Sequence, residues 1–354
     1  MIWIILKFTF RNFLRNKFCN FISISGLAIA IACAFFILMW INYEFSFDRF
    51  HPYAKRIYRF TVEVNRGNYN VHFARTTDPM LLQLPDYFPE IQDMIRLQPM
   101  RNTRVKIGEN KFFSNRFFGT DSSFFDVFGY RLIIGDPKKV LADPKSIVIS
   151  KGLAEKYFGN SDPIGKDINT ANQFDTIQHI YTVTGVMEDF PSNSHFHADI
   201  LRSFDNPKED VGWAYYYLLL KKQAEPEKII QNYPDFLGQF MEEESISYIT
   251  PHLQPVTDIH LHSEKSREIE QNGKVIYVYI FSIVGLVFLI IAFINYANLQ
   301  IAALNRKLSF IFLNRIVGAR VQNITSFIGF ESFINNLIAV IIGFFMIFLG
   351  TRFF

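Results

Sequence analysis

Residues 157–168 read YFGNSDPIGKDI. A nucleotide-binding loop has the form G-x-x-x-x-G-K-[ST]. Its backbone amides cradle phosphates, its lysine reaches the terminal phosphates and its hydroxyl holds magnesium. Here five residues, not four, separate Gly159 from Gly165. Asp167 follows Lys166 where a hydroxyl is required, and Pro163 removes an amide from the cradle. A phosphate loop also runs from strand into helix, whereas this stretch leaves the helical pattern KGLAEKYF and enters a strand-like segment. The spacing therefore predicts a helix C-terminus with Gly159 as its left-handed cap, then a turn on Asp162-Pro163. It does not predict an ATPase.

Working outward, SIVIS at 146–150 reads as a short buried strand, with Ser150 capping the helix that follows. Strands are expected over 56–64, 91–100, 181–186 and 213–220. A hairpin over 105–118 turns at Gly108-Glu109-Asn110. Asp78 is expected to cap a helix with Pro79 at its first position, Asp121 to cap a short helix through Phe128, and Pro226 to start a helix toward Met241. Strands alternating with helices predict an α/β domain of two mixed α/β lobes over 44–274.

The flanks of that domain have a different composition. The chain has 354 residues, 49% hydrophobic, including 40 phenylalanines. Residues 18–43 contain no charge, and about 20 apolar residues span a bilayer core. This run is too long for the apolar region of a signal peptide. Ala30-Ile31-Ala32-Cys33 faintly resembles a lipoprotein processing site, but eight more apolar residues follow Cys33 at once. Second and third spans are expected at 275–295 and 330–350. The third carries Glu331, Asn335 and Asn336, placed at the headgroups or inside a helix bundle. The fold class is thus an α/β exoplasmic domain inserted between transmembrane α-helices, with three predicted membrane spans.

Charge orients the chain. Residues 1–43 hold Lys7, Arg11, Arg15 and Lys17 and no acid, and residues 275–354 hold five basic residues against Glu331. The middle is net acidic. Basic flanks beside apolar runs place the N-terminus and the connection 296–329 in the cytoplasm and 44–274 outside. A nucleic-acid-binding protein would instead gather its basic residues on one soluble domain. Lys7, Arg11 and Arg15 recur four apart on one helical face, with Trp3, Leu6, Phe10, Phe13 and Leu14 off it. That pattern predicts an interfacial helix over 1–17 that anchors at the membrane surface; a simple charged flank is the alternative. The two cysteines, Cys19 and Cys33, both lie in the apolar N-terminal region, so 44–274 holds no disulfide.

Two H-x-H pairs, His195/His197 and His260/His262, would point to one face if they lay on strands, as metal ligands do. No H-E-x-x-H or cysteine completes a site, so no metal is expected. No G-x-S-x-G elbow is present, so an anchored hydrolase rests on the histidine pairs alone.

The ordered series RNFLRNKFCNFISISGLAIAIACAFFILMWINYEFSFDRFH, GTDSSFFDVFGYRLIIGDPKKVLADP, SIVISKGLAEKYFGNSDPIGKDI, YTVTGVMEDFPSNSHFHADIL, TPHLQPVTDIHLHS and YVYIFSIVGLVFLIIAFINYANL resembles permease subunits of the MacB/FtsX family of ABC transporters, in their Bacteroidota-type long form. The resemblance covers almost the whole chain. It implies a MacB-like periplasmic core domain at 44–274, in which the DPIGK turn is structural, and the start of an FtsX-like membrane domain at 275–354. It implies a multi-pass protein of the bacterial inner membrane with no catalysis or cofactor of its own, ATP being bound by a separate ABC ATPase. A homodimer or a second permease chain is implied, and a periplasmic or outer-membrane partner is compatible with it. Family permeases carry at least four membrane helices, so three spans imply an N-terminal portion, a truncated remnant or half of a split permease.

The family's cytoplasmic coupling helix resembles R-x-K-E-I-G-I-R-K-x-x-G-A. Here the matching stretch is RKLSFIFLNRIVGAR. Gly318 and Ala319 match and Arg315 keeps a charge, so these three are the expected ATPase-coupling residues. Ser309 and Phe310 replace the Lys-Glu pair, Phe312 the glycine and Asn314 the arginine. The alternative to a working permease is a membrane-anchored periplasmic binding or sensor module.

Overall fold

The computed structural model describes residues 17–77, 79–171, 178–206, 208, 211–306, 308–318 and 320–352. The chain divides into two compact units, 44–274 and the flanks 1–43 with 275–354.

The unit 44–274 is built on one sheet of 13 strands. In chain order these are β1 Ile57–Arg66, β2 Tyr69–Phe73, β3 Ile91–Pro99, β4 Thr103–Ile107, β5 Asn110–Ser114, β6 Phe117–Thr120, β7 Leu132–Ile134, β8 Ser146–Ser150, β9 Asp167–Ala171, β10 His179–Met187, β11 Ile200–Ser203, β12 Tyr215–Leu220 and β13 Ile249–Pro255. The order across the sheet is β13-β1-β12-β3-β6-β11-β8-β10-β9-β4-β5, with β2 on β1 and β7 on β10. β8 with β10 and β6 with β11 are parallel. The other pairings are antiparallel.

The strand sequences show why both faces are covered. In β12, YYYLLL, all six residues are buried, as expected of a central strand packed on both sides. Tyr215, Tyr217 and Leu219 enter one core, Tyr216, Leu218 and Leu220 another. The first core continues along that face through Ile95, Leu97, Phe118, Val148 and Leu201, and receives Phe124, Phe125 and Phe128 from the Phe124–Phe128 helix. On the opposite face there are two separate cores. One packs Ile229, Tyr233, Phe236 and Leu237 of the Pro226–Leu237 helix against β1, β12 and β3. The other packs Leu153 of the Lys151–Phe158 helix against Ile147, Ile149, Tyr181 and Val183. The two α/β lobes are these two helix-covered regions, joined by a continuous sheet.

Several expected elements are found with shifted ends. The hairpin turns at Gly108-Glu109 with Ile107 opposite Asn110, and breaks before Phe117 so that β6 joins a different part of the sheet. Asp78 lies outside the described residues, and Pro79 opens a short 3-10 helix. Asp121 is not the cap expected of it: Ser123 occupies that position, without a side-chain capping bond. Asp121 instead accepts from the backbone amide of Arg96 at 2.7 Å and pairs with its guanidinium. A buried arginine outcompetes a local amide for the carboxylate, because an unpaired buried charge costs more than an uncapped turn.

In the other unit, Lys17–Phe45, Val275–Arg306 and Val321–Gly350 are long helices. Within them Asn20–Phe45, Val275–Ala302 and Ile324–Gly350 are long and apolar enough to cross a membrane. Ala28 and Ala339 are fully buried, the small side chains that let such helices approach closely. Trp40 meets Phe281 edge-on at 5.0 Å. Asn335 is buried, so this polar residue of the third helix faces protein; the side chain of Glu331 lies outside the described residues. A short helix, Leu308–Ile316, separates the second and third long helices.

Candidate functional site

The stretch 157–168 is a structural turn. Ser150 Oγ accepts from the amide of Leu153 at 3.3 Å and starts the helix Lys151–Phe158. Gly159, at φ +57°, donates its amide to Glu155 O and ends it. Asp162 Oδ1 accepts from the amide of Ile164 at 3.0 Å, the side-chain turn expected of Asp-Pro. Gly165 adopts φ +74°, a conformation that favours glycine. Its amide donates to Val183 O, and Lys166 O accepts from Val183 N. Asp167 accepts from Thr182 Oγ1 at 2.9 Å. The Gly165 amide that a phosphate loop would need free, and the Asp167 carboxylate standing where it would need a hydroxyl, are both spent on holding this turn against β10.

The expected coupling residues fall at the far end of the helix Leu308–Ile316. Arg315 is exposed in its last turn. Gly318, at φ +90°, lets the chain reverse before the next helix begins. Ala319, Lys7, Arg11 and Arg15 lie outside the described residues. Around Arg315, Phe312, Leu313, Ile316 and Val317 are exposed by 71%, 62%, 76% and 87%. Among the described residues this segment therefore presents Arg315 beside exposed apolar side chains, a composition seen in surfaces that meet a partner or a bilayer.

The histidine pairs do not share a face. His195 and His197 lie in a loop rather than a strand, and His260 and His262 on a one-turn helix. His195 is buried, with Nδ1 2.8 Å from Asp48 Oδ1 and Nε2 2.7 Å from Tyr217 Oη. Asp48 Oδ1 accepts from Nδ1–H, and Nε2 shares the second hydrogen bond with the tyrosine hydroxyl. His197 places Nδ1 2.9 Å from Glu270 Oε2. His260 stacks on Phe47 at 3.4 Å and meets Glu44 Oε2 at 2.8 Å.

These contacts tie the first residues of the unit 44–274 into its body. Asp48 is buried at a left-handed φ of 56° and accepts from the amide of His195. Burial pushes its carboxyl pKa up. The His195 charge and the hydrogen bonds from His195 and His51 outweigh that, and hold it well below the usual carboxylate range.

A second buried cluster centres on Arg59 of β1, which is fully buried. Its guanidinium reaches Glu268 Oε1 at 2.8 Å, Gln254 Oε1 at 2.9 Å and Ser263 Oγ at 2.9 Å. Burial raises Glu268, but the Arg59 hydrogen bonds and charge bring it below its ordinary value. Beside it, burial and the Arg59 charge lower Lys265 to about 8.

Continuing the same face of β1, Glu63 lies with His72 and His252. Burial and the nearby Lys265 and His252 lower His72 to about 4. Sequence reasoning missed this group, because its members come from three strands separated by up to 189 residues.

A cleft of about 640 Å³ opens over β5 and the Lys151–Phe158 helix, lined by Phe112, Arg116, Lys156, Tyr157, Asp189 and His197. Phe112 and Tyr157 stack in it at 4.6 Å.

Comparison with known proteins bears on the whole arrangement. A family model described as the MacB-like periplasmic core domain matches residues 20–233, more than half of the chain. The chain belongs to this family. Macrolide export ATP-binding/permease proteins MacB of Neisseria meningitidis and Neisseria gonorrhoeae are 26% identical over 145 residues, 35% of this chain and 22% of theirs. The match to these curated relatives thus spans about a fifth of their length. Among solved structures, a domain of a Porphyromonas gingivalis permease protein is 20% identical at a TM-score of 0.47, covering 58% of this chain and 92% of that one. The periplasmic region of MacB from Actinobacillus actinomycetemcomitans is 13% identical at a TM-score of 0.40, with 58% and 91% covered. The MacB-like core domain here is a mixed α/β unit set in the sequence between helices long and apolar enough to span a membrane.

Proposed function

We propose that this chain is a permease subunit of an ABC transporter of the inner membrane. Its N-terminus is cytoplasmic and residues 44–274 are periplasmic. ATP binding and hydrolysis by a separate ATPase drive the membrane helices, which move the periplasmic domain to expel, extract or regulate a client. Arg315, Gly318 and Ala319 belong to the surface that meets the ATPase, and Lys7, Arg11 and Arg15 hold an interfacial helix against anionic headgroups. The chain works as a homodimer or beside a second permease chain. It binds no cofactor of its own.

The observation that carries this reading is that the MacB-like domain is fastened at both ends of its sequence. Glu44 pairs with His260 and Asp48 with His195 at the N-terminal junction, and Glu270 with His197 and Asn272 with Ser263 O at the C-terminal one, so the residues next to each membrane helix are tied into the domain. A domain joined through slack linkers would not follow its helices. Coupling then needs only two states of the membrane helices that ATP populates differently.

The test is affinity purification of the full chain in mild detergent, followed by mass spectrometry. An ABC ATPase in the wild-type sample, depleted by Arg315→Glu, supports the reading. Clean protein without an ATPase, under conditions that hold a family relative together, overturns it. A membrane-anchored binding module is the second reading. It is favoured by the loss of the Lys-Glu pair at Ser309 and Phe310 and by the aromatic cleft at Phe112 and Tyr157.

A further inference from the structure

We propose that Glu63, His72 and His252 form a binding site for a divalent transition-metal ion of the zinc type. The inference does not depend on the permease reading. β1 is flanked by β2 on one side and β13 on the other in this part of the sheet. Glu63 lies directly opposite His72, and Thr61 directly opposite His252. Side chains opposite one another in a sheet share a face, so two imidazoles and a carboxylate converge from three adjacent strands. One ligand atom from each lies within 4.8 Å of the others.

The chemistry of the set is that of a nitrogen and oxygen site for a borderline ion. Two imidazoles with one carboxylate are ligands suited to Zn²⁺ and also to Cu²⁺. A tetrahedral ion with bonds of about 2.0–2.1 Å needs ligand atoms about 3.4 Å apart. His252 Nε2 and Glu63 Oε2 are already 3.3 Å apart. His72 Nε2 sits 2.9 Å from Thr61 Oγ1, and the two imidazole rings lie 4.5 Å apart at 33°. A rotation of the His72 ring exchanges the threonine hydroxyl for the ion. The side chains are half-buried, which leaves a coordination position open to water or a client group.

Arg59 and Lys265 are cations that lie near His72. Arg59 is neutralised by Glu268, and the Lys265 amine is held by Gln254 Oε1 at 2.8 Å. Glu63 supplies the negative charge that the ion requires.

The experiment uses the full chain in detergent, stripped with a chelator and carrying no histidine tag. It is titrated with Co²⁺ and then with Zn²⁺ in competition. The expected result is one Co²⁺ per chain with the intense visible absorption of a four-coordinate ion, displaced by Zn²⁺. His72→Gln and His252→Gln each weaken binding by about 100-fold or more, whereas His179→Gln, at an exposed position, leaves it unchanged. Unfolding of the metal-free variants at the wild-type temperature shows that the loss is not loss of fold, and Glu63→Gln gives a second variant that preserves shape. Absence of the visible band overturns the proposal. So does binding that survives both histidine substitutions, since the three residues would then be a hydrogen-bonded group only.

Discussion

Arg59 in β1 and Glu268, 209 residues later, form a two-point ion pair in which the arginine is fully buried. The strand opposite β1 on this side, β13, supplies Gln254, and the segment after it supplies Ser263. One guanidinium thus gathers the last part of the MacB-like unit onto its first strand.

Removing the acid leaves a buried cation without its counter-charge. Glu268→Ala is expected to cost about 3 kcal/mol or more in denaturant unfolding. Replacing the pair together, with Arg59→Met and Glu268→Leu, is expected to cost less than the single change. The sign with pH follows from the lowered Glu268. Its stabilisation is fully present above the ordinary glutamate value and is lost as pH falls below it. Wild-type stability should therefore decline on acidification more steeply than that of the double variant.

Ser150→Ala removes a helix cap and is expected to cost about 1 kcal/mol. Gly165→Ala places a side chain at φ +74° and is expected to cost about 1–2 kcal/mol. Thermal unfolding measures both. If 157–168 were a phosphate loop, Gly165→Ala would abolish nucleotide binding by the purified protein. Unchanged nucleotide binding is expected.

Lys265 offers a chemical readout. With its pKa lowered to about 8, it should be acetylated by a limiting reagent with a midpoint near that pH, ahead of lysines with ordinary values. Because the folded state depresses a basic group, stability rises with pH between about 8 and the ordinary lysine value. Glu268→Gln removes the nearby acid that raises the Lys265 pKa and should shift the labelling midpoint lower. Peptide mapping after pulsed acetylation measures it.

Arg315→Glu is expected to reduce ATPase co-purification at least tenfold, about 1.4 kcal/mol, while leaving the unfolding temperature unchanged. Its side chain is exposed. Gly318→Val, at φ +90°, is expected to reduce it as well, through the turn rather than the charge.

What the sequence made legible was local. SIVIS followed by KGLAEKYF carries a strand, a cap and a helix within a dozen residues, and each part was readable from its neighbours. The tight hairpin at Gly108-Glu109 was readable for the same reason, and so were the apolar runs. The failures involve partners far along the chain. Asp121 stood where a cap belongs, and only the fold reveals that Arg96, 25 residues earlier, takes its carboxylate. The i, i+2 histidine spacing would make a shared face only on a strand; the pairs lie off the strands, and His195, His197 and His260 meet Asp48, Glu270 and Glu44 respectively, partners the sequence did not reveal. Glu63, His72 and His252 were invisible as a group because strand order, not sequence, makes them neighbours.

The first and last long strands of the MacB-like unit are neighbours, and Tyr58 pairs with Pro255 at the end of their ladder nearest both chain junctions. This fixes how the unit bears load. A force drawing the two junctions apart must break the contacts of Glu44 and Asp48 on one side and of Glu270 and Glu268 on the other; the Tyr58–Pro255 rung is the next in line, and an antiparallel ladder pulled from that end opens like a zipper, one rung at a time. A force that carries both junctions in the same direction places no tension across that ladder, and the unit travels as a solid. The domain is thus stiff to common displacement of its junctions and yielding to their separation.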